Sequence, residues 1–485
     1  MGTEEDIVAA AGPESTLYLG RVSGTSFNLS QTLIKGTEYF WRIDLVIDLV
    51  PETGGVYSFT ASDIELDLNE VNAKTFTGHI DHQVDIQLIS EEPGVSWTAT
   101  ASDLWVTFTE SSGVTPATLS VHLDATALSV GAHNSTVTLT SASGEVRIPV
   151  QFQVDPLNVT HIRSDRNSAI TYAISEDTGS VISQAYVLEI DSTTELIQRV
   201  IPVGSSVTDS TIHKADNLIY VSNWESGNLL AIDKSTFEHL KSIAFQPAGA
   251  TGYSAGDVYR VAAGVSQRLV VEEQDQWVDI SIINTQAETE LNQASVREGG
   301  GAFDPTGRYY YHGENNSSGA SILKFDTSGD TFTSLAEVRP PEISSYYGSR
   351  NVIVSEDGSR IFWAGVVLDE NLETEWGIGE IVYSTSSDGR YAFSESVIYD
   401  VNLRRQVLAM PTNTQVSGYN STSEKLITQV GDTLKFYYIS TPISFLPPIL
   451  SFSNSTDDSI DLNWTDESLE LEFLAQQRLL GSDTW

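Results

Sequence analysis

Three observations in the 485-residue sequence predict an all-β protein organised around a ring of small sheets. First, one pattern recurs between residues 157 and 440: an apolar strand, then Asp or Asn, then a small polar turn. Its markers are Asp191, Asp233, Asn284, Asp326, Asp369 and Asp400, with a degenerate last copy at Tyr437-Tyr438-Ile439-Ser440, at spacings of 42, 51, 42, 43, 31 and 40 residues. Second, short turns such as Asp357-Gly358 and Asp388-Gly389 lead into apolar strands within the same block. Third, the text before and after the block alternates apolar and polar residues with period two, as half-buried strands do. A repeat of about 40–45 residues holding three or four short strands is the pattern of a β-propeller blade. Seven markers predict seven blades. The predicted fold class is therefore a seven-bladed β-propeller with N-terminal β-sandwich modules and an incomplete C-terminal β-sandwich.

Composition narrows the function classes. Lys plus Arg number 25 against 66 Asp plus Glu, a net charge of −41. Such acidity disfavours nucleic acid or an anionic membrane as a partner, and it reads first as solvation, with Ca²⁺ collection as the minor reading. No cofactor is expected. The chain has no cysteine, which excludes disulfides, zinc–thiolate sites and thiol nucleophiles. No window approaches the ~18 apolar residues a spanning helix needs, and Met1 to Asp6 lacks the apolar core of a signal peptide.

Taken in order, residues 1–16 are expected to be a disordered leader. Residues 17–61 alternate as strands, including Thr37-Glu38-Tyr39-Phe40-Trp41-Arg42 and Gly55-Val56-Tyr57-Ser58-Phe59-Thr60. On those segments the stretch resembles the C-terminal half of a fibronectin type III domain. Residues 445–485 carry Ile449-Leu450, Ile460-Asp461-Leu462-Asn463-Trp464 and Phe473-Leu474-Ala475, and resemble the N-terminal half of the same family. Two sequential domains cut from a longer array are the favoured explanation, and one permuted domain formed by the two halves is the alternative. Half a sandwich leaves one face of its core uncovered.

Residues 62–155 read as a complete β-sandwich. The expected strands are Val84–Leu88, Trp105–Phe108, Leu119–Leu123, Ser135–Leu139 and Val146–Val150, separated by Gly/Ser/Asn turns. Trp97, Trp105, Ser112-Gly113, Gly131 and Ile148-Pro149-Val150 make this stretch similar to the BACON family of bacterial immunoglobulin-like modules. That resemblance implies a secreted or cell-surface bacterial protein.

The block 156–444 is the propeller. Its first-to-second-strand turns are expected at Arg166-Asn167, Asp216-Asn217, Pro305-Thr306-Gly307, Asp357-Gly358 and Asp388-Gly389, where Gly or Asn supplies the positive φ of a tight hairpin. Asp304 to Tyr310, Ser355 to Phe362 and Ser387 to Phe393 resemble the corresponding turn of YVTN and TolB-like seven-bladed propellers. The last blade lacks a fourth strand after Ile439, so ring closure is expected to borrow the strand around Val159 to Ile162.

No catalytic constellation stands out. Propeller geometry places the second-to-third-strand loops and the blade-to-blade connections on one face, and Trp224, Tyr253, Trp277, Tyr346, Tyr347 and Trp376 are assigned there. Arg297, Arg339, Arg350, His312, Asn315 and Asn316 fall on the same face. Exposed rings stack on sugars or apolar groups, and a rare Arg in so acidic a chain suits a carboxylate or sulfate. Packing of loops onto the ring and pairing of Arg with nearby Glu are the alternative. His79 and His82, three apart on a strand, point to opposite faces and make a poor metal pair. Asp63, Glu65 and Asp67 alternate along an edge, Gly299-Gly300-Gly301 lets an inner strand start near the axis, and the marker Asp/Asn residues are expected to cap hairpins. The eight Asn-x-Ser/Thr triplets are ascribed to chance in so Ser/Thr-rich a chain.

The expected function is a ligand-binding or adhesion module, taking a glycan or a protein, flanked by neighbouring β-sandwich domains. The alternative is a carbohydrate-active enzyme, a polysaccharide lyase or glycosidase, for which Glu314 and Glu225 are the nominated acids.

Overall fold

The computed structural model describes residues 1–21, 29, 33–35, 37–47, 50–91, 94–177, 184–223, 227–244, 258–273, 277–314, 320–341, 352–394, 396–410, 417–439, 449–453 and 461–465. Among the described residues the protein is all-β save one six-residue helix, and the chain divides into two compact units, Met1–Asp155 and Pro156–Trp485.

The first unit begins with a correction. Residues 1–16 are not a disordered leader: Glu5–Ala10 is helical, with Val8 only 2 % exposed. Gly2 bridges to Phe40, and the N-terminal ammonium donates to the Leu17 carbonyl. Beside this segment Glu38–Arg42 pairs antiparallel with Val56–Thr60, the two strands expected there, and Leu45–Ile47 with Val50–Glu52 forms a second hairpin.

The sandwich that follows has a five-stranded and a four-stranded sheet. All five expected strands are present, as His82–Ile89, Val106–Phe108, Ala117–Leu123, Gly131–Ser141 and Gly144–Asp155, Trp105 lying in the turn just before the second. Their inward residues, Ile86, Leu88, Leu119, Val121, Leu123, Val137, Leu139 and Ile148, are all fully buried in one core. Each contributes roughly 1.5–3 kcal/mol of apolar burial. Val71–Phe76, Ser96–Ala101 and Ser112–Val114 are additional strands. Val71–Phe76 pairs in parallel with the last strand of the sandwich. Gly113 has a packing reason: a Cβ there would lie 2.8 Å from the Trp97 ring on the neighbouring strand.

The second unit holds six four-stranded sheets in succession and one three-stranded sheet, numbered I to VII here, all sequentially paired and antiparallel. They occupy residues 159–204, 207–244, 258–297, 299–338, 353–377, 382–409 and 417–438. The first strands neighbour one another from Val159–Ser164 through Ser417–Asn420, and that last strand lies beside Val159–Ser164 again. The result is a β-propeller whose first strands surround the axis. Apolar clusters fill the spaces between successive sheets, as where Leu218, Tyr220 and Leu229 of sheet II meet Val261, Leu269 and Val271 of sheet III. Gly299-Gly300-Gly301 opens the inner strand of sheet IV, and a Cβ on Gly299 would fall 1.9 Å from the Gly313 carbonyl oxygen.

The repeat markers end the third strands of sheets I to VI. There they accept backbone N–H groups of the following turn: Thr193 to Asp191 at 2.7 Å, Ser235 to Asp233 at 2.7 Å, and Gln286 and Ala287 to Asn284 at 3.0 and 2.8 Å. Asp326, Asp369 and Asp400 do the same. A positive-φ residue follows each, Glu195, Phe237, Glu288, Asp330, Leu372 and Arg404. The side chain supplies the acceptor that permits the strained turn. The expected first-to-second-strand turns are also present, with positive φ at Asn217, Gly307, Gly358 and Gly389.

Ring closure differs from expectation. Val159–Ser164 is the inner strand of sheet I and, among the described residues, pairs only with Ile170–Asp177. It is not lent to sheet VII. One backbone bond, from the Leu157 N–H to the Asp432 carbonyl at 3.2 Å, and a set of side chains make the seam instead. Gln429 accepts the Val159 N–H at 2.6 Å and donates to the Leu157 and Gly431 carbonyls at 2.7 and 2.6 Å. Asn420 donates to the Ser168 and Ile170 carbonyls, and Lys425 pairs with Glu195 at 2.7 Å. A buried amide that both donates and accepts does locally what a shared strand does elsewhere.

Candidate functional site

The predicted site residues fare differently. Trp224, Tyr253, Tyr346, Tyr347 and Arg350, together with Glu225, Asn315 and Asn316, lie outside the described residues. Trp277 and Arg297 are brought together: they stand opposite each other on the third and fourth strands of sheet III. Arg339 is exposed beyond the last strand of sheet IV. Two members are corrected. His312 is completely buried in the second strand of sheet IV, because strand alternation turns it toward the neighbouring sheet rather than the rim. Trp376 is half-buried on the outer strand of sheet V and packs edge-on against Tyr399 at 5.6 Å, so its ring is a wedge between sheets and not a platform.

Trp277 is 61 % exposed, and the Arg297 guanidinium lies 5.0 Å from its ring centroid. A cation over an indole face is worth about 0.5–1 kcal/mol at an exposed site. Arg297 is also tied inward: its N–H donates to Glu314 Oε1 at 3.2 Å, and Nη1 lies 3.6 Å from Oε2 of the same carboxylate. The Arg297 carbonyl accepts from His312 Nε2 at 2.8 Å. Behind His312, at 3.9 Å, is Glu272, whose other carboxylate oxygen accepts the Gly299 N–H at 2.7 Å. Burial pushes the Glu314 carboxyl up and the His312 imidazole down from their ordinary values, Arg297 opposing the first and the Arg297 carbonyl the second. The row therefore runs from an exposed ring, through a guanidinium, to buried acids that hold sheets III and IV together.

A second polar group, not foreseen from sequence, lies on the inner strands. Asp209, 6 % exposed, accepts from Arg163 at 2.9 Å and from the N–H groups of Ser210 and Val261. Burial alone would raise its pKa, but Arg163 and Arg260 hold the carboxyl below its ordinary range. His161 beside it is pushed down to about 4, mainly by burial. The only sequence signal was charge inside otherwise apolar inner strands, as in Val207-Thr208-Asp209 and Tyr259-Arg260-Val261.

The first-to-second-strand turns reach across the ring. Arg166 of sheet I donates to the Val354 carbonyl of sheet V at 3.3 Å, and Glu356 accepts the Ser421 hydroxyl of sheet VII at 3.1 Å. The Asp357 N–H meets the Ser387 carbonyl of the next sheet. These contacts cross-link the turns on that face.

Among the described residues no cluster of three or more His, Asp or Glu is arranged to hold a metal ion. His79 is bonded to Thr75 Oγ1 at 2.6 Å, and Asp63 accepts the Ser141 hydroxyl while Asp67 accepts the Gln87 N–H. No described helix is long and apolar enough to cross a membrane.

No protein-family model and no curated protein matches the chain. Among solved structures it is similar to the β-propeller domain of Cps50 (Swd1) from Myceliophteria thermophila, at 11 % identity and a TM-score of 0.45, over 58 % of this chain and 97 % of that one. It is also similar to the WD40 repeats of RRP9, at 10 % identity and 0.41, over 57 % and 88 %. Hydrazine synthase of Kuenenia stuttgartiensis gives 12 % and 0.36, over 63 % and 90 %. The likeness is one of β-propeller fold, and the sheet order described above carries that assignment.

Proposed function

We propose that this chain is a binding module. The seven sheets are read as a seven-bladed propeller that takes a glycan or protein ligand, within a secreted or cell-surface bacterial protein whose flanking modules are fibronectin- and BACON-like spacers. The carrying observation is the exposed Trp277 ring with Arg297 laid against it, on the face where the blade-to-blade connections emerge. Connection length supports that face: 13 residues separate Ala244 from Val258 and 14 separate Val338 from Ile353, long enough to be uncommon outside functional loops. The opposite face has short turns cross-linked to one another.

The test is a glycan array and a panel of surface proteins probed with the whole chain and with Trp277→Ala. A ring this exposed is dispensable for folding, within about 0.5 kcal/mol. As an anchor its loss weakens binding by roughly tenfold or more. Equal binding by wild type and variant would remove Trp277 from the site. The buried Glu314, its carboxyl raised as a general acid requires, is the one feature that favours the alternative of a carbohydrate-active enzyme. Release of new reducing ends or unsaturated uronates from polysaccharides, abolished by Glu314→Gln, would establish it.

A further inference from the structure

We infer that the ligand taken at Trp277 is a glycan bearing a carboxylate, and that Arg297 is the residue that reads that acid. This deepens the proposed function and rests on it, since Trp277 is the same anchor. Elsewhere in the chain a guanidinium laid on an aromatic ring has a constant third member. Arg199 lies 4.7 Å from the Phe237 ring centroid, Arg308 4.9 Å from that of Tyr309, and Arg390 5.0 Å from that of Tyr391. Each of these three also gives both Nε and Nη2 to one carboxylate, that of Glu189, Asp326 and Asp400 in turn. The ring holds the face of the guanidinium, and the acid takes its planar fork of donors.

Arg297, 5.0 Å from the Trp277 centroid, is the fourth such stack among the described residues. No described carboxylate forks onto it. Sheet I sets Glu189 directly opposite Arg199, whereas sheet III sets Trp277 itself opposite Arg297. Glu314 lies behind, 3.6 Å from Nη1, which is an ion pair too long for a hydrogen bond. Its Oε2 and the Arg297 Nε are both buried without a hydrogen-bond partner among the described residues. Asp279, two residues along the third strand, is occupied by the Ser295 hydroxyl at 2.6 Å. The rings differ too: Phe237 is 6 % exposed and Tyr391 2 %, against 61 % for Trp277. The stack without an acid is the one whose ring is open.

A carboxylate of the ligand completes this fourth stack. Because Nε is covered, the two terminal nitrogens of Arg297 receive it. The open part of the indole takes the apolar C–H face of the sugar that carries the acid, which makes that sugar a uronic acid. An Asp or Glu of a protein ligand offers the acid on a flexible stem, with no flat apolar face beside it. The net charge of −41 narrows the class further. A polymer with an acid on every sugar is repelled, so the carboxylates are isolated ones in an otherwise neutral glycan.

The test is an array of uronic acid-bearing oligosaccharides beside the same oligosaccharides carboxyl-reduced to neutral sugars, with sulfated glycans and acidic peptides, probed with the full chain. Wild type is expected to bind the carboxylated members roughly tenfold or more tightly than their reduced counterparts. Arg297→Gln removes that preference and leaves weaker binding through the ring. Arg297→Lys keeps a cation beside Glu314 but not the fork, and loses most of the preference without unpairing the buried acid. Trp277→Ala weakens binding to both members of each pair alike. Equal binding of both members, a preference for sulfated glycans or acidic peptides, or a preference that survives both Arg297 variants overturns this inference and leaves Trp277 as an anchor. No binding to any member, or binding untouched by Trp277→Ala, overturns the reading of the site and this inference with it.

Discussion

Replacing Gln429 with Leu tests how the ring is closed. The side chain is 8 % exposed and bridges sheet VII to the start of sheet I by accepting from Val159 and donating to Leu157. Val159 and Leu157 are themselves 2 % and 4 % exposed, so water does not readily replace the lost partners. An orphaned buried donor or acceptor costs about 1–3 kcal/mol, and two of them cost roughly 2–6 kcal/mol. For a unit of this size, at about 2 °C per kcal/mol, the shift is ~4–12 °C. Differential scanning calorimetry on the full chain should show the loss in the propeller transition and leave the transition of the 1–155 unit in place. Hydrogen exchange at the Val159 amide should accelerate. Gln198→Leu, which removes a half-buried glutamine whose bond to Thr194 is exposed, is the control. A Gln429→Leu shift no larger than the control's would mean that the seam does not depend on this amide, and the side-chain account of closure would fail.

Three further outcomes follow from the geometry. Gly299→Ala places a methyl within 1.9 Å of the Gly313 backbone, which is overpacking that backbone must absorb, and should cost about 1–3 kcal/mol or more in urea unfolding; a neutral result would mean the inner strand can move. Asn284→Ala removes the acceptor for two turn N–H groups, and a loss of about 0.5–2 kcal/mol is expected by analogy with helix caps, against none if water serves equally well. His161 has its pKa depressed from 6.5 to about 4, so the unfolded chain takes up that proton first. Its contribution to stability is present above pH 6.5 and is lost as pH falls toward 4. The urea midpoint of wild type should therefore drop between pH 7 and pH 4.5 by more than that of His161→Gln, and parallel curves would show that His161 is not buried neutral.

What could be read from the sequence was the local chemistry of the turns. Asp191, Asp233 and Asn284 announce themselves because a side-chain acceptor followed by a tight turn works the same way in every sheet. The expected sandwich strands were legible for a similar reason, since alternation over five or more residues has few competing readings. Val71–Phe76 escaped because its partner is a parallel strand about 80 residues away, and Ser112–Val114 escaped as a strand because it is only three residues long. The seam was illegible because Gln429 acts on residues 270 positions earlier, and nothing around it marks that partner. Of the candidate site, the exposed ring of Trp277 and the scarce guanidinium of Arg297 stand opposite each other on sheet III, whereas His312 and Trp376 are buried or half-buried between sheets, because residue type does not say which face of a strand it occupies.

The distribution of cations differs between the two faces of the ring. The chain has only 25 Lys and Arg, and several tie consecutive sheets at the turns of a single face. Lys234 reaches Asp165, Lys241 reaches Glu288, Arg268 reaches Asp330 and Lys425 reaches Glu195, each at 2.5–2.8 Å and each joining neighbours in the ring. Partly exposed pairs such as Lys241–Glu288, Arg268–Asp330 and Lys425–Glu195 contribute little singly, about 0–1 kcal/mol, but together with the more buried Lys234–Asp165 pair and the Arg166 and Glu356 bridges they form a network on the side that also has the shortest turns. A ring stitched along one rim leaves the other free to carry long connections without loss of closure. The acidic surplus then has a structural consequence as well as a solvating one. With so few cations, those used for stitching are engaged in the fold, while Arg297, laid over Trp277, and the exposed Arg339 lie on the side of the blade-to-blade connections.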